Sequence, residues 1–242
     1  MRFAIGLDCA AQDKNFGLAL GEVAGRVVVV RDVVHSVPQV LPFLLEWMSR
    51  FRPVLLAFDA PLGWPAPMGR HLGRHLAGEP IVEEPDHLFS RYTDRVVRAR
   101  TGKRPLEVGA DRIARAALRA VRLLGEVRAE TSLSLPLAVS PGMPEEPSAI
   151  EVYPAATLLS RGLASSGYKG RGREKEQIRA HLLESLGEQL RADADPGLLI
   201  GSDHAFDAAL CLLSGLDFLM GEVVSPEDRT RAETEGWIWF RP

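Results

Sequence analysis

Five carboxylates in this sequence interrupt apolar segments, where an unpaired charge is costly. Asp8 ends the alternating stretch Arg2 to Cys9, and Asp59 ends the apolar run Val54 to Phe58 within LLAFDAPLGWP. Glu151 lies inside IEVYPAATL. Asp203 and Asp207 open SDHAFDAALCLL four residues apart, on one face of a helix. Each acid must be paired, bound to a cation or placed at the solvent edge. If the fold gathers them, their repulsion calls for a hard divalent cation, and oxygen donors suit Mg²⁺ or Mn²⁺. Asp8, Asp59 and Asp207 are the expected metal ligands, with Glu151 and Asp203 completing a catalytic set. Such a centre activates water for phosphodiester hydrolysis and needs no protein nucleophile.

Each acid also has a plainer reading. Asp8 could cap a strand-end turn, and Asp59 could form an Asx turn ahead of Ala60-Pro61. Glu151 could pair with an arginine such as Arg91. Asp203 suits a helix N-terminus. Asp207, one turn inside an apolar helix, is the hardest to explain without a site. His204, three residues before it, reads as a structural or solvated histidine or as a site member.

Arg91, Asp94, Arg95 and Arg98 fall at i, i+3, i+4 and i+7. They read either as a salt-bridged surface face or as a clamp that binds substrate phosphate beside the acids. Arg112, Arg115, Arg119 and Arg122 form a second stripe, an amphipathic surface or a patch for a nucleic-acid backbone. Lys169, in the loop Tyr168 to Arg173, reads as solvated or as a phosphate contact. Trp64, Trp237 and Trp239 read as packing residues.

Three strands are expected first, at Arg2 to Cys9, Asn15 to Leu20 and Arg26 to Val34, with Gly21 and Gly25 between the last two. Short links make them an antiparallel meander. A helix over Val37 to Phe51 leads to a fourth strand, Val54 to Asp59, which the crossover makes parallel to the first. A Gly/Pro/His-rich loop, Pro61 to Pro85, precedes helices at about Asp86 to Arg100 and Val108 to Ala129. A fifth strand spans Ala149 to Tyr153. Helices follow at about Ala155 to Leu163, Gly172 to Arg191 and Asp203 to Leu219. The expectation is an α/β fold. A mixed five-stranded sheet, three antiparallel strands and then parallel ones, is flanked by helices, with a helical insertion at about 61–148. Residues 1–242 read as a single domain.

GLDCA, LLAFDAPLGWP, RYTDRVVR, IEVYPAATL, GYKG, SDHAFDAALCLL and EGWIWFRP, in that order, resemble domain-of-unknown-function family 429, described as predicted nucleases of ribonuclease H fold. The resemblance covers essentially the whole chain. It implies a ribonuclease H-like fold and a metal-dependent nuclease acting on DNA or RNA, with its acidic site at Asp8, Asp59, Glu151 and the Asp203/Asp207 pair. Where such sites often carry two adjacent acids, this chain has Asp203-His204. His204-Ala-Phe-Asp207 is similar to the His-x-x-Asp of some resolvase-like proteins.

The composition narrows the alternatives. The 242 residues suffice for a sizeable core, and a net charge of −3 rules out a polycation that binds nucleic acid by bulk charge. Two cysteines without metal-ligand spacing argue for a reducing, cytoplasmic setting. The first residues lack signal-peptide shape and no apolar run is long enough to span a membrane. The rival reading is a non-catalytic binding or regulatory protein that keeps the fold. A sugar-kinase-like phosphotransferase is a third, but no second lobe or adenine-loop glycine motif is present.

Overall fold

The computed structural model describes residues 2–109, 111–193 and 195–242. The elements are β1 (Arg2–Asp8), β2 (Gly17–Ala24), β3 (Val27–His35), α1 (Leu41–Phe51), β4 (Leu55–Asp59), α2 (Ala66–Leu72), α3 (Pro85–Phe89), α4 (Tyr92–Thr101) and α5 (Asp111–Thr131). They continue with β5 (Ser148–Val152), α6 (Pro154–Leu159), α7 (Arg173–Leu186), β6 (Leu190–Ala192), α8 (Pro196–Gly201), α9 (Asp203–Met220), α10 (Arg229–Glu235) and β7 (Ile238–Trp239). Among the described residues, no helix is long and apolar enough to cross a membrane.

The strands form one mixed sheet in the order β6-β3-β2-β1-β4-β5-β7, in which only β2 runs against the rest. The expected meander and the parallel fourth and fifth strands are present. The expected count of five is corrected to seven, because β6 and β7 flank the sheet at its two edges. Both are too short, at three and two residues, to carry a readable alternation. Leu190 and Arg191 of β6 fall within the helix expected over Gly172 to Arg191, but α7 stops at Leu186. Likewise the helix expected over Asp86 to Arg100 is two helices, broken at extended Ser90 and Arg91. Of the helix expected from Val108, Ala110 lies outside the described residues and α5 begins at Asp111.

Helices cover both faces of the sheet. On one face Ile5, Leu7, Leu18, Leu56 and Phe58 pack against Leu44 and Trp47 of α1 and Leu123 and Val127 of α5. On the other, Ala4, Ala19 and Ala57 meet α9, whose residues Ala205 to Leu219 are all buried. The small residues here are a steric requirement. A Cβ on Gly6 would sit 2.0 Å from the Ala208 carbonyl oxygen, and one on Gly17 equally close to that of His204. The backbone of α9 therefore lies directly on β1 and β2. Asp8 shares the face of Ala4 and Gly6, and Asp59 that of Ala57, so both acids point toward this helix.

This contact predicts a sharp contrast between two glycines. Gly6→Ala must push α9 off the sheet and should cost about 3 kcal/mol, at the upper end of overpacking penalties. Gly125→Ala, on the exposed side of α5 with open space around it, should gain about 0.5–1 kcal/mol. Urea unfolding of the two variants measures both signs.

Candidate metal centre

Asp8 and Asp59 end adjacent parallel strands and are direct partners in the β1–β4 register. Asp207, from the first turns of α9, reaches the same point, since Gly6 and Gly17 hold that helix close. One carboxylate oxygen from each of Asp8, Asp59 and Asp207 lies within 4.8 Å of the other two. Three elements far apart in sequence thus deliver three acids to the carboxyl ends of the central strands.

Their polar neighbours are unequal. Asp8 Oδ2 lies 2.6 Å from His204 Nδ1. Asp207 accepts a 2.7 Å hydrogen bond from the Tyr168 hydroxyl on Oδ1 and meets the Lys169 ammonium at 2.7 Å on Oδ2. No hydrogen bond to the Asp59 side chain occurs among the described residues. Burial pushes the Asp8 pKa up to about 6, with Asp207 adding to the rise and the His204 hydrogen bond opposing it. Burial raises Asp59 well above its ordinary value; Lys169 opposes this, and Asp8 and Asp207 add to it. His204 is raised by its bond to Asp8, and Lys169 is raised because the three carboxylates outweigh its burial. An unpartnered carboxylate facing two others is a donor set short of positive charge. Hard oxygen donors in that state fit a hard divalent cation.

The other two expected carboxylates do not join the cluster. Asp203 accepts the Gly170 backbone N–H at 2.7 Å, anchoring the loop that carries Lys169. Glu151 misses by one position. It registers with Phe58 rather than Asp59, and alternation puts Ile150 and Val152, not Glu151, on the α9 face. Its carboxylate instead takes Nη1 and Nη2 of Arg91, both at 2.7 Å, and the Leu62 N–H at 3.0 Å.

The expected four-residue clamp is corrected as well, because Arg91 precedes α4 rather than lying on its face. Its buried guanidinium bridges Glu151 and Asp94, with Nη2 to Asp94 at 2.8 Å. Asp94 also accepts the Arg91 backbone N–H at 2.9 Å. Arg95 spends Nη1 on the carbonyls of Ser90 and Asp86, at 2.6 and 3.1 Å. Arg98 is exposed on α4, and no ion pair or hydrogen bond of its side chain occurs among the described residues.

A residue that the sequence reading passed over completes this second network. Glu235, fully buried at the end of α10, accepts the N–H of Ala66 at 3.1 Å and that of Tyr92 at 2.6 Å. These are the first residues of α2 and α4, so one carboxylate caps two helix N-termini. Gly236 follows with φ +85°, and a Cβ there would crowd the Glu151 carboxylate at 3.1 Å. Between the two networks lies a pocket of about 270 Å³ lined by Asp8, Asp59, Glu151, Arg91, Tyr153 and Lys169.

Comparison with known proteins gives a family and a distant structure. The family described as "Protein of unknown function (DUF429)" matches residues 6–231. No curated protein matches the sequence. Among solved structures, T. thermophilus RuvC in complex with Holliday junction substrate aligns over 91% of this chain and 97% of that chain, at 15% identity and a TM-score of 0.41.

The two networks predict opposite responses to the same chemical change. Glu151→Gln breaks a buried pair and should cost about 3 kcal/mol. Asp59→Asn supplies without titration the neutral side chain that burial favours here, and should raise the Tm of the metal-free chain by about 2–4 °C, equivalent to about 1 kcal/mol. Calorimetric melts in chelator measure both; a loss of stability in Asp59→Asn would show that this acid is already compensated.

Proposed function

The chain belongs to the DUF429 family, and from that premise we propose that it is a metal-dependent nuclease of ribonuclease H-like fold, hydrolysing phosphodiester bonds in DNA or RNA. The observation that carries the reading is the convergence of Asp8, Asp59 and Asp207, with Asp59 lacking any protein partner among the described residues. The order β3-β2-β1-β4-β5 with β2 reversed supports the fold assignment. A single sheet that takes in strands from Arg2 to Trp239 supports reading one domain. The free thiols of Cys9 and Cys211 suit the cytoplasm.

In this reading Asp8, Asp59 and Asp207 hold Mg²⁺ or Mn²⁺. When bound, the ion supplies a Lewis acid that lowers the pKa of water and offsets charge on the phosphate. The protein's own groups do the positioning. His204 orients the Asp8 carboxylate from outside the cluster. Tyr168 fixes one oxygen of Asp207. Arg91, held by Glu151 and Asp94, forms a rigid wall of the pocket rather than a mobile clamp. Asp203 sets the loop that brings Lys169 to the mouth, where its ammonium can meet a phosphate oxygen. Exposed Arg98 and the α5 arginines Arg112, Arg115 and Arg122 are available to backbone phosphates farther along a strand.

The test is Mn²⁺ titration calorimetry on the wild type, Asp8→Ala and Asp59→Asn, with cleavage of pooled single- and double-stranded DNA and RNA by the same samples. The expected result is one saturable metal-binding process and metal-dependent cleavage, with both lost in each variant. Cleavage that survives in Asp8→Ala overturns the mechanism. Absence of metal binding in the wild type, with nucleic acid present, replaces it with the non-catalytic binding reading.

A further inference from the structure

The loop Tyr168-Lys169-Gly170 is held with unusual expense. Arg179 of α7 is fully buried, yet its guanidinium meets no carboxylate among the described residues. It donates from Nε to the Ile200 carbonyl at 2.6 Å and from Nη1 to the carbonyls of Tyr168 and Gly170, the latter at 3.0 Å. Its Nη2 has no partner among the described residues. A buried cation compensated mainly by carbonyl oxygens is costly. Asp203 adds a charged acceptor for the Gly170 N–H, and Gly170 turns the chain at φ +95°. Three otherwise separate features converge on placing the residue between Tyr168 and Gly170.

That residue is Lys169. Its ammonium sits on Asp207 Oδ2 at 2.7 Å, while 57% of its side chain remains exposed and Asp207 is 2% exposed. The loop backbone is anchored and the side chain is largely exposed, so the ammonium can leave the cluster by side-chain rotation alone. Asp207 takes the Tyr168 hydroxyl on Oδ1 and the Lys169 ammonium on Oδ2, so a further cation on this carboxylate must share it with Lys169. A divalent ion and an ammonium on the same carboxylate repel, because both positive charges lie within a few ångströms of each other.

We propose that Lys169 is a tethered counter-cation of the metal centre. It occupies the Asp207 side of the cluster when no ion is present and is displaced when a divalent ion binds. The displaced ammonium is then delivered to the phosphate of the substrate at the same mouth. The proposal rests on the nuclease reading for the nature of the site, and it adds that metal affinity is set by competition with a residue of the chain itself. Lys169 is a positioning residue in the metal-free state and becomes a substrate contact only after exchange.

The experiment compares Mn²⁺ binding by calorimetry in wild type, Lys169→Met and Asp203→Asn, with melts of each in chelator and in saturating Mn²⁺. Lys169→Met should bind Mn²⁺ about tenfold more tightly, the scale of one lost charge–charge competition. It should melt lower than wild type in chelator, and the difference should shrink or reverse in Mn²⁺. Asp203→Asn, which loosens the loop but keeps the lysine, should shift affinity the same way by a smaller factor. Equal or weaker Mn²⁺ binding by a folded Lys169→Met overturns the proposal while leaving the nuclease reading intact. No binding by any variant overturns both.

Discussion

The site depends on one close contact, the backbone of α9 lying on β1 and β2 with no side chain between them. Gly6 and Gly17 create that contact, since the carbonyls of Ala208 and His204 occupy the space a Cβ would need. With any larger residue the helix would stand off, and Asp207 would move away from Asp8 and Asp59. The apolar majority of α9 supplies the driving force, because burying its apolar side chains against the sheet outweighs the desolvation of the acids at its start. The cluster is thus sustained by packing that has no chemistry of its own.

Two buried ionic systems share the ends of the strands and differ in balance. Around Arg91 each carboxylate has donors: Glu151 takes the guanidinium and an amide, Asp94 closes the turn, and Glu235 takes two helix N-termini. Around Asp59 the count falls short. A saturated network rigidifies what it touches, while an unsaturated one retains affinity for an incoming cation. The first holds the loop after β4 and the start of α4 in place, and the second faces the pocket that they frame.

Much of this was legible in the sequence because the informative residues break a pattern. Asp8, Asp59 and Asp207 each stand out against apolar neighbours, and these are the acids that converge. Glu151 stood out equally, but whether it faces Asp59 or Arg91 depends on strand register, which alternation within one strand does not set. The spacing of Arg91 to Arg98 gave a helical face only on the assumption that the helix begins before Arg91. In the fold Arg91 turns inward to Glu151 and helix geometry starts one residue later. Glu235 lies in the polar stretch RTRAETEG, where a carboxylate has no contrast, and its role follows from two amides more than a hundred residues away in sequence. Lys169 was legible as a basic loop residue; the anchoring of its loop by Arg179 is something nothing local reveals.

The separation of Asp8 from the helix that completes its site has a consequence for biosynthesis. His204 and Asp8 are 196 residues apart in sequence. While the chain is being made, β1, β2 and β4 can pair, but the face carrying Gly6 and Ala57 stays uncovered until α9 leaves the ribosome. For most of translation that face is an open apolar surface and the two strand-end acids are bathed in water, with ordinary acidity. Such a fold is slow by its contact order and exposed to misassembly while it waits. It also means that the three acids come together late and all at once, when α9 docks on the sheet.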